Sequence, residues 1–363
     1  MPFTLTSNDG REVRQNTQRQ GVDPAIMPCG RAQAVGFAIF NVRRSGMILP
    51  ERTDLRGAFM RCFWFLVLFA ALLPEQNPPE GPLDPEKVFA YDASKPIHLT
   101  AGKTETVELV RVEEISYDSP KFGRVPGYLV VPGGSGPFAG IVYMHWGQGN
   151  RSEWLSEGLE MAKCGALSIM IDAPYWRPEV PAPGTDNRAE SERDGYIQMV
   201  VDLRRAVDVL TVRNDVDRKR IGYVGHSLGA TWGGPLAEVD KRIKMFVLMG
   251  GLPSLTNYDD DSFYAEVQRA AMSRDEFKKY AAVIEPYNPE HFVAHTGPAR
   301  IYFQWASHDM YISKHSAEEY YNAVGGPKEQ HWYFTSHEFN DDQSRKDRRE
   351  WLAKELGLHE ASK

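Results

Sequence analysis

The hydrophobic pattern of the chain changes character at residue 137. Beyond it, short apolar runs at 139–145, 166–172, 221–225, 245–250, 299–305 and 330–334 alternate with longer amphipathic stretches. Runs of this length, bounded by turn residues, predict strands. The segments 153–163 and 195–213 instead carry apolar side chains at helical spacing, as at Val200, Leu203, Val207 and Leu210. One buried helix face accounts for each stripe, so no cofactor is implied by them. Apolar strands separated by amphipathic helices predict an α/β fold: a mostly parallel central sheet with helices on both faces. Upstream, 104–117 and 124–131 cluster β-branched and apolar residues around Ser119 and Pro120, which predicts an opening antiparallel pair. Helical character returns in 254–283, so a small helical insertion, 254–287, is expected before the fifth of the six runs. Its Met272, Phe277, Tyr280 and Tyr287 are expected to pack it down, and Asp259, Asp260 and Asp261 to face solvent.

The first hundred residues divide differently. Residues 1–46 are rich in Arg, Gln, Asn and Gly without apolar periodicity, so 1–59 reads as a disordered extension or as the product of a misplaced translation start. Residues 62–73 are apolar and follow Met60 and Arg61. That run is too short for a stable membrane span but has the length of a signal-peptide apolar region, which makes 60–74 signal-like. The expectation is export, to a periplasm or the exterior, if translation begins at Met47 or Met60, and otherwise a cytoplasmic or membrane-anchored protein. Residues 75–86 read as a proline-rich linker, and 87–358 as the folded domain.

Composition narrows the partners. The net charge is −7, with 42% hydrophobic and 25% charged residues, near the average of soluble globular proteins. No block of like charge recruits nucleic acid. Cys29, Cys62 and Cys164 are too few and too scattered for a disulfide framework or a zinc site, so no metal is expected. Nothing in the sequence fixes an oligomeric state.

The candidate chemistry sits at Gly225-His226-Ser227-Leu228-Gly229. A G-x-S-x-G pentapeptide gains meaning when a strand enters it and a helix leaves it. Here 221–224 supplies the strand, and Leu236, Ala237 and Val239 continue a helix whose first turns Gly233, Gly234 and Pro235 should make irregular. A sharp strand-to-helix turn would hold Ser227 in a strained conformation, and glycines two positions to either side would leave room for its neighbours. The helix N-terminus beside the hydroxyl would favour developing negative charge. These features make Ser227 the candidate nucleophile.

Residues 202–251, and less sharply 105–356, resemble the dienelactone hydrolase-like and acetyl-esterase-like branches of the α/β-hydrolase superfamily. Dienelactone hydrolases use a cysteine nucleophile, so the serine suits ester hydrolysis better than that lactonase reaction. The resemblance implies the chain order nucleophile, acid, histidine, which sets His145 aside as the base. In 304–311 it makes Asp309 the acid. In 335–339 it makes His337 the base, ahead of His315, His331 and His359, before a final helix over 344–356. It also implies two oxyanion donors: the backbone N–H of Leu228 and, because 144–149 resembles a His-Gly-Gly loop with Trp146 in place of its first glycine, the N–H of Trp146, with Gly147 as the alternative. The Trp146 indole would narrow the acyl pocket toward small groups. The implied activity is cofactor-free hydrolysis of a small-molecule carboxylic ester through an acyl-enzyme. A peptidase or thioesterase on the same residues, or a catalytically silent binding domain on this fold, are the alternatives.

Overall fold

A computed structural model describes residues 82–177 and 187–359. The extension 1–59, the signal-like 60–74 and most of the linker 75–86 lie outside the described residues. The elements follow in chain order: α1 (Pro85–Val88), β1 (Thr100–Val107), β2 (Val110–Asp118), β3 (Arg124–Val131), β4 (Phe138–Met144), α2 (Leu155–Lys163), β5 (Ala166–Ile171), α3 (Arg188–Thr211), β6 (Val216–His226), α4 (Leu228–Val239), β7 (Met245–Met249), α5 (Phe263–Ala271), α6 (Arg274–Ile284), β8 (Arg300–Ala306), α7 (Lys314–Ala323), β9 (Lys328–Tyr333) and α8 (Asp342–Leu356). The nine strands of the described residues join one sheet in the order β1-β2-β3-β5-β4-β6-β7-β8-β9. The pairings from β5 through β9 are parallel, and β1, β2 and β3 add an antiparallel edge. The six apolar runs are therefore the six strands β4 to β9.

Both faces are covered. Residues of α3, α4, α6 and α7, such as Leu203, Trp232, Phe277 and Tyr320, share one core with the sheet. Met161 of α2 and Leu352 and Leu356 of α8 belong to the core on the other face. Parallel strands covered on both sides have no use for alternating polar positions, and β4 and β5 are buried throughout and apolar but for Ser168.

Four local expectations change. The predicted strand 104–117 is a hairpin of β1 and β2, turning at Glu108 and Leu109 with Glu108 at φ 54°. The left-handed position is filled by a glutamate, so the Gly/Asn signature of such turns is missing from the sequence. Helix α3 begins at Arg188 rather than near residue 195. Its first two turns lack an apolar stripe and are anchored by a tertiary bond, from Tyr280 Oη of α6 to Glu192 Oε2 at 2.8 Å. Helix α4 runs unbroken through Gly233, Gly234 and Pro235. The missing Pro235 N–H leaves the Thr231 carbonyl without its helical donor, and Tyr320 Oη of α7 donates to that oxygen at 2.7 Å instead. Finally, Asp260 is buried while Asp259 and Asp261 are exposed. Its carboxylate accepts from Ser313 Oγ at 2.8 Å, tying the insertion to the start of α7. Phe277 and Tyr280 are buried, and Met272 and Tyr287 pack against the core, as the insertion's pattern predicts.

Candidate active site

The strand order brings the site together. β5 lies to one side of β4 and β6 to the other, so the chain departs in opposite directions from adjacent parallel strands, and a crevice opens where their carboxyl ends separate. Met144 pairs with Gly225. The loops beginning at His145 and at Ser227 therefore emerge side by side.

At the end of β6 the chain turns sharply into α4, with Ser227 at φ 52° and ψ −108°. Non-glycine residues avoid this region unless their surroundings hold them there. Ser227 N–H donates to Met249 O at 2.7 Å, and Thr231 N–H to Ser227 O at 2.8 Å. A side chain at Gly225 would overlap the Gly229 carbonyl, and one at Gly229 would come 2.5 Å from Met144 O. The two glycines are thus required by backbone meeting backbone, as the pentapeptide predicts.

Ser227 Oγ lies 2.8 Å from His337 Nε2, and His337 Nδ1 lies 2.7 Å from Asp309 Oδ2. The histidine and carboxylate side chains are each only 3% exposed. Asp309 follows β8 by three residues, and its Oδ1 accepts the backbone N–H groups of Tyr311 at 2.8 Å and Ile312 at 3.0 Å. His337 follows β9, whose exit loop is held beside that of β8 by Ser307 N–H to Tyr333 O and His308 N–H to Thr335 O. With Nδ1–H directed at the carboxylate, Nε2 is free to accept a proton from Ser227. The structure thus brings together the three residues singled out in sequence.

His145 is elsewhere engaged. Its Nε2 accepts the Ala173 N–H at 3.0 Å, which leaves Nδ1–H to donate to Trp146 O at 2.6 Å. Burial holds its pKa below the ordinary histidine value. His315 lies in α7, His331 in β9, and His359 beyond α8, all apart from Ser227 in the chain's layout.

The oxyanion loop departs from the sequence expectation. Trp146 N–H donates to Glu153 Oε2 at 2.9 Å, so it is already committed. Among the described residues, Gly147 N–H and Leu228 N–H have no hydrogen-bond partner. A loop motif read over six residues cannot reveal a carboxylate seven positions further on. The Trp146 indole stacks on His226 with ring centroids 6.2 Å apart and planes inclined by 24°.

Two residues near the elbow were not picked out in sequence. Glu153 Oε1 lies 2.7 Å from His226 Nδ1, and His226 Nε2 lies 2.8 Å from the carbonyl oxygen of His337. His226 stands inside the pentapeptide, at the position whose identity the motif leaves open, and no local signal marks Glu153. Among the described residues no group of His, Cys, Asp and Glu is arranged to hold a metal ion, and no helix is long and apolar enough to cross a membrane.

No family model matches the chain, and no curated protein matches its sequence. Solved structures match it in shape. An acetyl xylan esterase from Paenibacillus sp. R4 superposes with a TM-score of 0.63 at 19% identity, covering 77% of this chain and 97% of that one. Acetyl xylan esterase 1 from Thermoanaerobacterium sp. JW/SL YS485 gives 0.62 at 14% identity, with 77% and 95% covered. An S-formylglutathione hydrolase from Agrobacterium tumefaciens gives 0.53 at 12%, with 71% and 99% covered. Identities this low speak to architecture alone. Taken with the strand order and the strained turn at Ser227, they show that this chain has the α/β-hydrolase fold.

Proposed function

We propose that the chain is a serine hydrolase that cleaves a small-molecule carboxylic ester through an acyl-enzyme. The observation that carries the proposal is the unbroken hydrogen-bonded series from Asp309 through His337 to Ser227 Oγ, built on a strained turn. In this reading Ser227 Oγ attacks the ester carbonyl carbon as His337 Nε2 takes its proton. The negative charge that develops on the carbonyl oxygen is met by Leu228 N–H and Gly147 N–H, with the α4 N-terminus adding a favourable field. Collapse breaks the bond to the alcohol, which leaves with the proton held by His337. Water then gives a proton to the same nitrogen, attacks the acyl carbon and releases the acid, restoring Ser227. Asp309 fixes the ring's tautomer and stabilises the imidazolium at each stage.

The solved structures of similar shape include acetyl xylan esterases, and this chain is read in the same way as acting on small acyl groups. Activity against nitrophenyl esters is expected to fall as the acyl chain lengthens from acetate; a preference for long chains would refute the small-pocket reading. The enzymatic proposal is tested with a fluorophosphonate probe. Labelling of the natural chain and none of Ser227→Ala is the expected result, and absence of labelling in both would overturn it.

A further inference from the structure

Behind the nucleophile turn, Glu153 and His226 make three polar contacts whose protons can be counted. His226 Nε2 faces the carbonyl oxygen of His337 at 2.8 Å. A carbonyl only accepts, so Nε2 carries a hydrogen. In a neutral ring Nδ1 would then be bare, yet it lies 2.7 Å from Glu153 Oε1. The other carboxylate oxygen, Oε2, accepts the Trp146 N–H at 2.9 Å. A bare ring nitrogen and an ionised oxygen would set two lone pairs against each other at hydrogen-bond distance. One further proton, residing on Nδ1 or on Oε1, makes every contact a hydrogen bond. The surroundings are confining: His226 is 5% exposed, with Trp146 stacked on it and Trp154 and Phe339 meeting it edge-on.

We propose that Glu153 and His226 share this proton and act as a positioning pair, joining the oxyanion loop on one side of Ser227 to the main chain of His337 on the other. Asp309 holds the His337 ring, and His226 holds its backbone. Glu153 draws in the Trp146 N–H, while the adjacent Gly147 N–H has no partner among the described residues. The pair links the loops after β4 and β9 through the last residue of β6, while its members touch no reacting atom. What the positioning serves rests on the esterase reading above; the shared proton does not.

The test combines kinetics with a spectroscopic readout. Glu153→Gln preserves all the contacts without the extra proton, because the amide NH2 donates to a bare Nδ1 and the amide oxygen accepts from Trp146. Its kcat on nitrophenyl acetate is expected within about threefold of the natural chain, since no hydrogen bond is lost. Glu153→Ala and His226→Phe should each lower kcat by about 10- to 100-fold through misplacement of the loops, with KM changed by less than about threefold. The double variant should be no slower than the slower single one, as expected of residues acting as one unit. Glu153→Gln as slow as Glu153→Ala, singles whose effects multiply, or an undiminished Glu153→Ala would each overturn the proposal. Independently of turnover, proton NMR should show a low-field ring N–H resonance that survives in Ser227→Ala and Asp309→Asn and vanishes in Glu153→Ala and His226→Phe. Its absence from the natural chain would sink the shared proton. Should Ser227→Ala still hydrolyse the ester, the esterase reading would fail, and the resonance would still decide the pair.

Discussion

Replacing Asp309 by asparagine tests the proposed chemistry with almost no change in shape. Asp309 Oδ1 accepts two backbone N–H groups, from Tyr311 and Ile312, while Oδ2 faces His337 Nδ1. An asparagine must therefore place its oxygen toward the two backbone donors, because turning the amide over would set NH2 against both of them. Its NH2 then points at His337 Nδ1. A donor facing a donor drives the imidazole to its other tautomer, with the hydrogen on Nε2 directed at Ser227 Oγ, 2.8 Å away. That nitrogen can no longer accept the serine proton. The corresponding change in a serine protease with the same arrangement of groups costs about 10,000-fold in kcat, or about 5 kcal/mol at 1.36 kcal/mol for each factor of ten. Steady-state kinetics on nitrophenyl acetate, alongside thermal unfolding, separates this effect from damage to the fold. The expected outcome is a kcat lower by about three to four orders of magnitude with an unfolding midpoint close to that of the natural chain. A kcat within about tenfold of the natural chain, at unchanged stability, would show that tautomer control by Asp309 is not what activates Ser227.

Other consequences can be checked in the same way. Gly225→Ala drives a methyl into the Gly229 carbonyl, where neither backbone can retreat, so chemical denaturation should show a loss of about 3 kcal/mol or more; a loss below about 1 kcal/mol would mean that the turn can open. Tyr320→Phe removes the donor that serves the Thr231 carbonyl above Pro235 and should cost about 1 to 3 kcal/mol. An unchanged denaturation midpoint would show that the carbonyl finds another partner. Burial pushes the Asp260 carboxyl up, but hydrogen bonds from Ser262 and Ser313 outweigh it and hold the group below its ordinary pKa. A carboxyl depressed in the folded state contributes stability above its unfolded pKa of about 3.9 and loses it as pH falls through the folded value. The difference in unfolding temperature between the natural chain and Asp260→Asn should therefore be full near neutrality and shrink below about pH 4, whereas a difference independent of pH would refute the linkage.

Most of the elements and the turn at Ser227 were legible along the chain. Strands β4, β5, β7 and β8 and the second half of β6 could be read because they are buried on both faces, which favours continuous apolar runs, and α2 because its buried residues fall on one face. The pentapeptide was legible because its glycines answer a local demand, backbone crossing backbone at Gly225 and Gly229. The choice of Asp309 and His337 rested on the resemblance to the α/β-hydrolase superfamily and its chain order, and the parallel pairing of β8 with β9 is what sets their exit loops side by side. The remaining features depend on residues far apart in the chain. The early start of α3 rests on Tyr280 reaching Glu192, the intact α4 on Tyr320 reaching Thr231, and the burial of Asp260 on Ser313. The commitment of Trp146 N–H to Glu153, and of Glu153 to His226, is of the same kind. A hydrogen bond leaves no periodicity behind it, and its partners are set by the meeting of loops at the strand ends, so no pattern along the chain could have announced them.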